Sequence, residues 1–166
     1  TKKIKDKNKE FLIVEYTNNK ALNVLLSQKM KECNEKLIDF QIYAQSIDLL
    51  FIEESDVIAI FGNLIDNAIE SCVISETKKI FLQIKTMNDK FLVINLENSA
   101  DKEPATENGK LKTRKADKDT HGIGILSVKQ ALNNLKEHNG RLQWEYNADK
   151  RIFVATILIS LQQKED

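Results

Sequence analysis

Between Val57 and Val73 the hydrophobic positions recur at helical spacing, and the polar residues among them are few and one-sided. At about 100° per residue, Asn63, Asp66, Asn67 and Glu70 fall in one arc roughly 100° wide, while Val57, Phe61, Leu64, Ile65, Ala68 and Cys72 fill the far side. A surface helix carries a wider polar face with Lys and Arg in it; this arc holds only amides and carboxylates. Buried polar groups need partners, which leaves two readings: a cleft with a ligand, a metal or ordered water, or a buried helix with a narrow, solvated acidic edge. Glu53-Glu54-Ser55-Asp56 opens the helix, with Ser55 or Asp56 as N-cap and acidic charge at the positive helix end.

Other periodicities surround this one. Phe11 to Leu37 reads as helix: Ile4, Phe11, Asn18 and Leu25 repeat every seven residues, Val14 and Ala21 take the companion spacing, and Leu22, Leu26, Met30, Cys33 and Leu37 form a stripe that can dock on a sheet. The heptad row suits a dimerising helix or one packed on its own domain. Phe40 to Ala44 alternates as a strand, followed by a short extended piece at Ile47 to Ile52. Ile80 to Thr86 and Phe91 to Leu96 flank Met87-Asn88-Asp89 and predict a hairpin. Leu142/Trp144/Tyr146 and Ile152/Val154/Thr156/Leu158 predict two closing strands around Asn147 to Lys150.

From Ala100 to Thr120 large apolar residues almost vanish, and Lys102, Lys110, Lys112, Arg114, Lys115 and Lys118 sit among Asp, Glu, Thr, Pro104 and Gly109. Such a stretch is a lid or binding loop whose cations meet an anion, or a solvated loop with no ligand role. Order returns at His121-Gly122-Ile123-Gly124, which opens a helix carrying Val128, Leu132 and Leu135 and ending near Gly140. Glycines at a helix mouth let backbone N–H groups approach phosphate oxygens.

Composition narrows the field. The net charge is zero, so attraction to nucleic acid is not implied and no nucleic-acid partner is expected. Cys33 and Cys72 have no second Cys or His at metal-ligand spacing and read as reduced core residues. The longest apolar stretch, Ile152 to Leu161, is about half of what spans a bilayer. The chain therefore reads as soluble, and its start at Thr1 suits a piece of a longer protein with a membrane portion elsewhere.

The stretches Asn19 to Lys29, Asn63 to Glu70 and His121 to Ile125, in this order, resemble the GHKL ATP-binding superfamily of gyrase, heat-shock chaperone, histidine kinase and mismatch-repair ATPase. Within it the sequence is most similar to the catalytic domain of Gram-positive peptide quorum-sensing histidine kinases of the accessory gene regulator type. The resemblance implies an α/β two-layer sandwich, a mixed and mostly antiparallel sheet covered on one face by helices. It also implies an ATP-binding catalytic domain over residues 19–166, preceded at 1–18 by the tail of a dimerisation and phospho-acceptor hairpin or a linker. Asn67 matches the asparagine whose oxygen binds the Mg²⁺ bridging the ATP phosphates. Asn63, the candidate catalytic position, stands where hydrolysing members carry a Glu; an amide cannot take a proton from water, which favours phosphoryl transfer over hydrolysis. Gly122, Ile123 and Gly124 match the glycine box, Lys115 a lid lysine, and His121 the residue before that box. The usual Asp-x-Gly-x-Gly box is absent: Asn98-Ser99 stands there, and the Asn98 carbonyl accepts from adenine more weakly than a carboxylate.

The two histidines, His121 and His138, are both late in the chain. His121 belongs to the nucleotide box, and His138 is expected at the carbonyls of a helix end. The phospho-acceptor is therefore expected outside this chain, on the acceptor domain of the same kinase, with a homodimer in the full-length protein, a response regulator as the next partner and a cytoplasmic position below a bacterial membrane anchor. Two alternatives share the fold: an anti-sigma-factor-type Ser/Thr kinase and a degenerate docking module without catalysis.

Overall fold

The computed structural model describes residues 12–107, 110–111 and 123–162. Ile4, Phe11, Lys112, Arg114, Lys115, Lys118, His121 and Gly122 lie outside the described residues. Helix α1 spans Lys20–Glu35 and strand β1 Asp39–Ala44; α2 (Glu54–Val57), a π-turn (Ile58–Gly62) and α3 (Asn63–Val73) follow as one continuous helical run. Then come β2 (Lys79–Met87), β3 (Phe91–Ser99), the short β4 (Thr106–Glu107) and β5 (Lys110–Leu111), α4 (Ile123–Asn134), a 3-10 turn (Lys136–His138), β6 (Arg141–Asn147) and β7 (Ile152–Ser160).

Five strands form one sheet in the order β1-β2-β3-β7-β6. β1 and β2 are parallel because the α2–α3 run crosses over between them, and the other neighbours are antiparallel. The fold class is thus the expected mixed sheet with helices on one face. The β2–β3 hairpin turns where predicted, and Asn88 and Asp89 both take φ of 53°, the primed geometry that matches strand twist. Ile80, Leu82 and Ile84 of β2, Leu92, Ile94 and Leu96 of β3 and Ala155, Ile157 and Ile159 of β7 face the helices as buried core. For β7 this is the opposite phase to Ile152/Val154/Thr156/Leu158, which takes the outer face. Both phases of that strand are apolar, so alternation alone does not choose a face.

On the helical side Val57, Phe61, Leu64, Ile65, Ala68 and Cys72 are all buried, as their phase predicts. Four local expectations are corrected. The helix anticipated from Phe11 begins at Lys20, because Asn19 caps it through Oδ1, which accepts from Leu22 N, and residues 12–18 form no helix. The segment Ile47–Ile52 makes turns and no strand. At α2 the capping position is Glu53, without a side-chain cap bond, while Asp56 is buried and accepts from Asn134 Nδ2 of α4 at 3.0 Å. Finally, Leu37 leaves the apolar stripe. Its φ is 56° and it is 84% exposed, because Leu37 N bonds Asn34 O and Ile38 N bonds Cys33 O to close α1 in a Schellman turn.

The stretch from Ala100 to Thr120, expected to lack structure, contains the small β4–β5 ladder. Helix α4 ends at Asn134 rather than near Gly140. Gly140 instead follows Asn139 (φ 46°) and packs on Leu132, where a Cβ would stand 2.9 Å from Leu132 Cδ2. His138 turns from the helix end to the sheet: its Nδ1 lies 2.6 Å from the Ser160 carbonyl and its ring 4.7 Å from that of Phe51.

Candidate functional site

The polar arc of α3 begins where the π-turn ends. Bonds closed five residues apart instead of four disturb the carbonyl ladder and free an acceptor. Asn63 takes it: Nδ2 donates to the Ala59 carbonyl at 2.6 Å. The amide oxygen then faces α4, where the Gly124 backbone comes so close that a Cβ would stand 3.1 Å from Asn63 Oδ1. The absence of a side chain at Gly124 is therefore what lets the mouth of α4 meet the first turn of α3. Gly62 needs no such room, since a Cβ there meets nothing within 4 Å.

Asp66 turns the other way. Lys29 Nζ of α1 donates to Asp66 Oδ1 at 2.5 Å and to Glu32 Oε2 at 3.2 Å, while Lys36 holds Glu32 at 2.7 Å. The arc that looked free of cationic partners thus has one, supplied from α1. Burial pushes the Lys29 ammonium down, but Asp66 and then Glu32 outweigh it, and its pKa ends above the ordinary 10.5. The Lys36 hydrogen bond, helped by Lys29, holds Glu32 below its ordinary 4.5 against its own partial burial.

At the far end of the arc Ser71 Oγ donates to the Ser99 carbonyl at 3.1 Å and fixes the end of β3 against α3. Asn98 is buried, and its Nδ2 donates to the same carbonyl at 3.0 Å, so its oxygen is the acceptor left at this position. The Ser99 hydroxyl is spent on β2, accepting from Lys79 N at 3.1 Å. Phe153 stands opposite Asn98 in the register and stacks on Trp144 with centroids 5.9 Å apart; Tyr146 OH donates to the Ala100 carbonyl at 2.9 Å. A cleft of about 370 Å³ at these strand ends is lined by Asn98 and Ser99 together with Lys79, Phe81 and Arg151, but by none of Asn63, Asn67 and Gly124.

Of the residues singled out from sequence, Asn63 and Gly124 are in contact, and Asn67 lies on α3 between that contact and the Ser71 link to Ser99. Among the described residues Asn67 makes no side-chain hydrogen bond, and it is half-buried. Ile123 enters as the first residue of α4. Lys115, His121 and Gly122 are outside the described residues. Two residues had no assigned role: Lys29, inside the quoted stretch Asn19 to Lys29, and Ser71, one turn beyond Asn67. The i, i+4 spacing from Asn67 pointed to Ser71; no local signal pointed to Lys29, whose partner is 37 residues away.

A family model described as the GHKL domain matches residues 52–160, the span from the end of the β1–α2 loop to the last strand. The chain belongs to the GHKL family. Solved structures agree on the fold. The nucleotide-free catalytic domain of histidine kinase ThkA superposes with a TM-score of 0.60 at 18% identity, covering 88% of this chain and 94% of that one. Acinetobacter baumannii histidine kinase AdeS gives 0.60 at 19%, covering 84% of this chain and 64% of that one. Full-length ShkA in complex with AMPPNP gives 0.61 at 11%, covering 86% of this chain and 30% of that one. Among proteins with curated descriptions none matches significantly.

In this GHKL chain no group of three His, Cys, Asp or Glu residues among the described residues is arranged to hold a metal. The donor set on α3 is an amide oxygen or two, which does not make a protein cage but does suit a hard cation that brings phosphate and water ligands with it. No described helix is long and apolar enough to cross a membrane.

Proposed function

We propose that this chain binds Mg-ATP and donates the γ-phosphoryl group to a histidine outside it, as the catalytic domain of a two-component sensor histidine kinase. The observation that carries the reading is the packing of Gly124 on Asn63, which joins the glycine-marked mouth of α4 to a helix whose next amide, Asn67, has no partner among the described residues. A helix mouth offers unpaired N–H groups to phosphate oxygens, and Asn67 offers a neutral oxygen to the cation beside them. The bound Mg²⁺ would neutralise charge on the phosphates. The Asn98 oxygen would accept from the adenine amino group, with Phe153 and Trp144 beside it. Lys115, His121 and Gly122 are assigned to the phosphates on family resemblance. The complex of full-length ShkA with AMPPNP, a protein that contains the same fold, supports nucleotide binding.

The chemistry asks little of this chain beyond position and charge. A nitrogen lone pair of the incoming imidazole forms a bond to the γ-phosphorus, the bond to the β–γ bridging oxygen breaks, and ADP leaves with that electron pair. Asn63, its nitrogen bound to Ala59 O, has no basic atom with which to activate water, so transfer is favoured over hydrolysis. The acceptor hairpin, a homodimer in the full-length kinase, a response regulator as the next phosphate acceptor, membrane anchorage and membership of the peptide quorum-sensing branch complete the proposal. They rest on the resemblance of Asn19 to Lys29 and on Asn98-Ser99.

The test is calorimetric titration of the chain with ATP, with and without Mg²⁺, on wild type and Asn67→Ala. Saturable Mg-dependent heat that the variant loses is expected. Equal binding by both would remove Asn67 from the site. A docking module without catalysis is the second reading, favoured by the amide in place of an acid at Asn98, and it is selected if millimolar ATP gives no heat.

A further inference from the structure

The four charges on the α1–α3 seam alternate as Lys36, Glu32, Lys29 and Asp66, and each carboxylate has its own cation: Lys36 sits 2.7 Å from Glu32 and Lys29 2.5 Å from Asp66. The two pairs are not equivalent. Lys36 to Glu32 is an exposed pair within one helix, whereas the Lys29 side chain is 18% exposed and reaches from α1 to the residue preceding Asn67. An exposed pair of the first kind contributes little to any protein. A half-buried ammonium is costly to desolvate, and here, besides its 3.2 Å bond to Glu32 on its own helix, it crosses to the one acidic side chain adjacent in sequence to the amide assigned to the Mg²⁺ of the nucleotide.

We propose that Lys29 is a positioning residue of the phosphate site: by neutralising Asp66 and holding it against α1, it keeps a carboxylate from opposing the negative charge of a bound polyphosphate. This rests on the proposed nucleotide role of Asn67. Without its cation, Asp66 stands within one residue of that amide as a full negative charge, free to swing toward the ligand. Repulsion between like charges at such range, in a partly buried setting, weakens binding of a polyanion in proportion to its charge.

The proposal separates charge from architecture through a double-mutant cycle read by calorimetry with Mg-ATP and by thermal unfolding of the ligand-free chain. Lys29→Met is expected to weaken Mg-ATP binding about three- to tenfold, the effect shrinking as salt rises. Lys29→Arg keeps wild-type affinity. Asp66→Asn alone binds as well as wild type or better, since a negative charge beside Asn67 is then removed while Lys29 keeps Glu32. In Lys29→Met/Asp66→Asn the bridge is still missing but the stray charge is gone, and affinity returns to near wild type. A purely structural bridge would leave the double variant as weak as Lys29→Met, and that outcome overturns the proposal, as does unchanged affinity in Lys29→Met. If Lys29→Met does not fold, Asp66→Asn decides alone, with weaker binding than wild type as the overturning result. Absence of Mg-ATP binding in the wild type would instead overturn the nucleotide reading itself.

Discussion

Helices α1 and α3 carry the same polar row, Asn19, Asn23 and Ser27 against Asn63, Asn67 and Ser71, each at i, i+4, i+8. On α1 the row is buried and fully used. Asn19 Oδ1 accepts from Leu22 N and its Nδ2 donates to the Leu49 and Ile52 carbonyls; Asn23 Oδ1 accepts from Tyr16 N, Thr17 N and Thr17 Oγ1 while its Nδ2 donates to Thr17 O; Ser27 Oγ accepts from Val14 N. On α3 the outer two members are used, by Ala59 O and Ser99 O, and the middle one is not. Buried amides that are spent on backbone hold loops in place; the half-buried amide that is not spent, between two that are, is the one the proposed Mg-ATP site uses.

The sharpest way to break this comparison is to truncate the two middle members. Asn67→Ala should lower Mg-ATP affinity roughly 10- to 100-fold and leave the melting temperature nearly unchanged, since no protein bond is lost. Asn23→Ala should do the reverse. It strands the N–H groups of Tyr16 and Thr17 and the Thr17 carbonyl, at about 2 kcal/mol or more, and nucleotide affinity stays close to wild type. Calorimetry and thermal unfolding on both variants give the four values; equal loss of stability in the two would erase the distinction.

Gly124→Ala tests the contact that sets the α3 row beside α4. The added methyl meets the Asn63 oxygen at 3.1 Å, and Asn63 is held by its bond to Ala59 O, so the amide or the α4 mouth must shift. A several-fold loss of Mg-ATP affinity is expected, with about 1 kcal/mol of stability. Gly62→Ala, which meets nothing, serves as its control.

How far this could be read before the structure depends on range. The buried face of α3, the β2–β3 hairpin and the sheet class followed from period and turn residues. The arc could not say which members serve a site: Asp66 lies beside Asn67 in sequence, and only the distant Lys29 turns it aside. The π-turn was equally invisible, because Ile58 to Gly62 keeps a helical pattern of apolar residues. At the N-terminal end, the heptad row through Val14 and Asn18 lost to local chemistry, as Asn19 and Asn23 hold the preceding segment in non-helical form.

Both cysteines extend the contrast between spent and inert groups, one on each helix. Burial pushes the Cys33 thiol up to about 11 from an ordinary 9.0, with Glu32 and Cys72 adding to it. Cys72 also rises to about 11 by burial, against its contacts with the Ser99 and Lys79 carbonyls. A pKa raised in the folded state means that the unfolded chain loses these protons first. The thiols' contribution is therefore complete below about pH 9 and is lost as pH climbs toward 11. Chemical unfolding at stepped alkaline pH should show that decline, and Cys33→Ala/Cys72→Ala, whatever its own stability, should show a shallower one. Thiol reagents at neutral pH should leave the folded chain unlabelled.

The smallest expected effect concerns how the two helices stop. Lys78 closes α3, its Nζ donating to the carbonyls of Cys72, Val73 and Ser75. Helix α1 stops by conformation instead, with Leu37 forced to a φ of 56° and its side chain 84% exposed. A residue with a Cβ is strained there by about 1 kcal/mol, and an exposed leucine recovers nothing by packing. Glycine adopts that φ freely but also gains freedom in the unfolded chain, which offsets part of the relief. Leu37→Gly should thus raise stability by about 0.5 to 1 kcal/mol, a shift of a few degrees in melting temperature for a chain of this size, with nucleotide affinity unchanged. A fall in melting temperature would mean that Leu37 packs on something its exposure does not show, and that α1, like α3, is stopped by a side-chain contact.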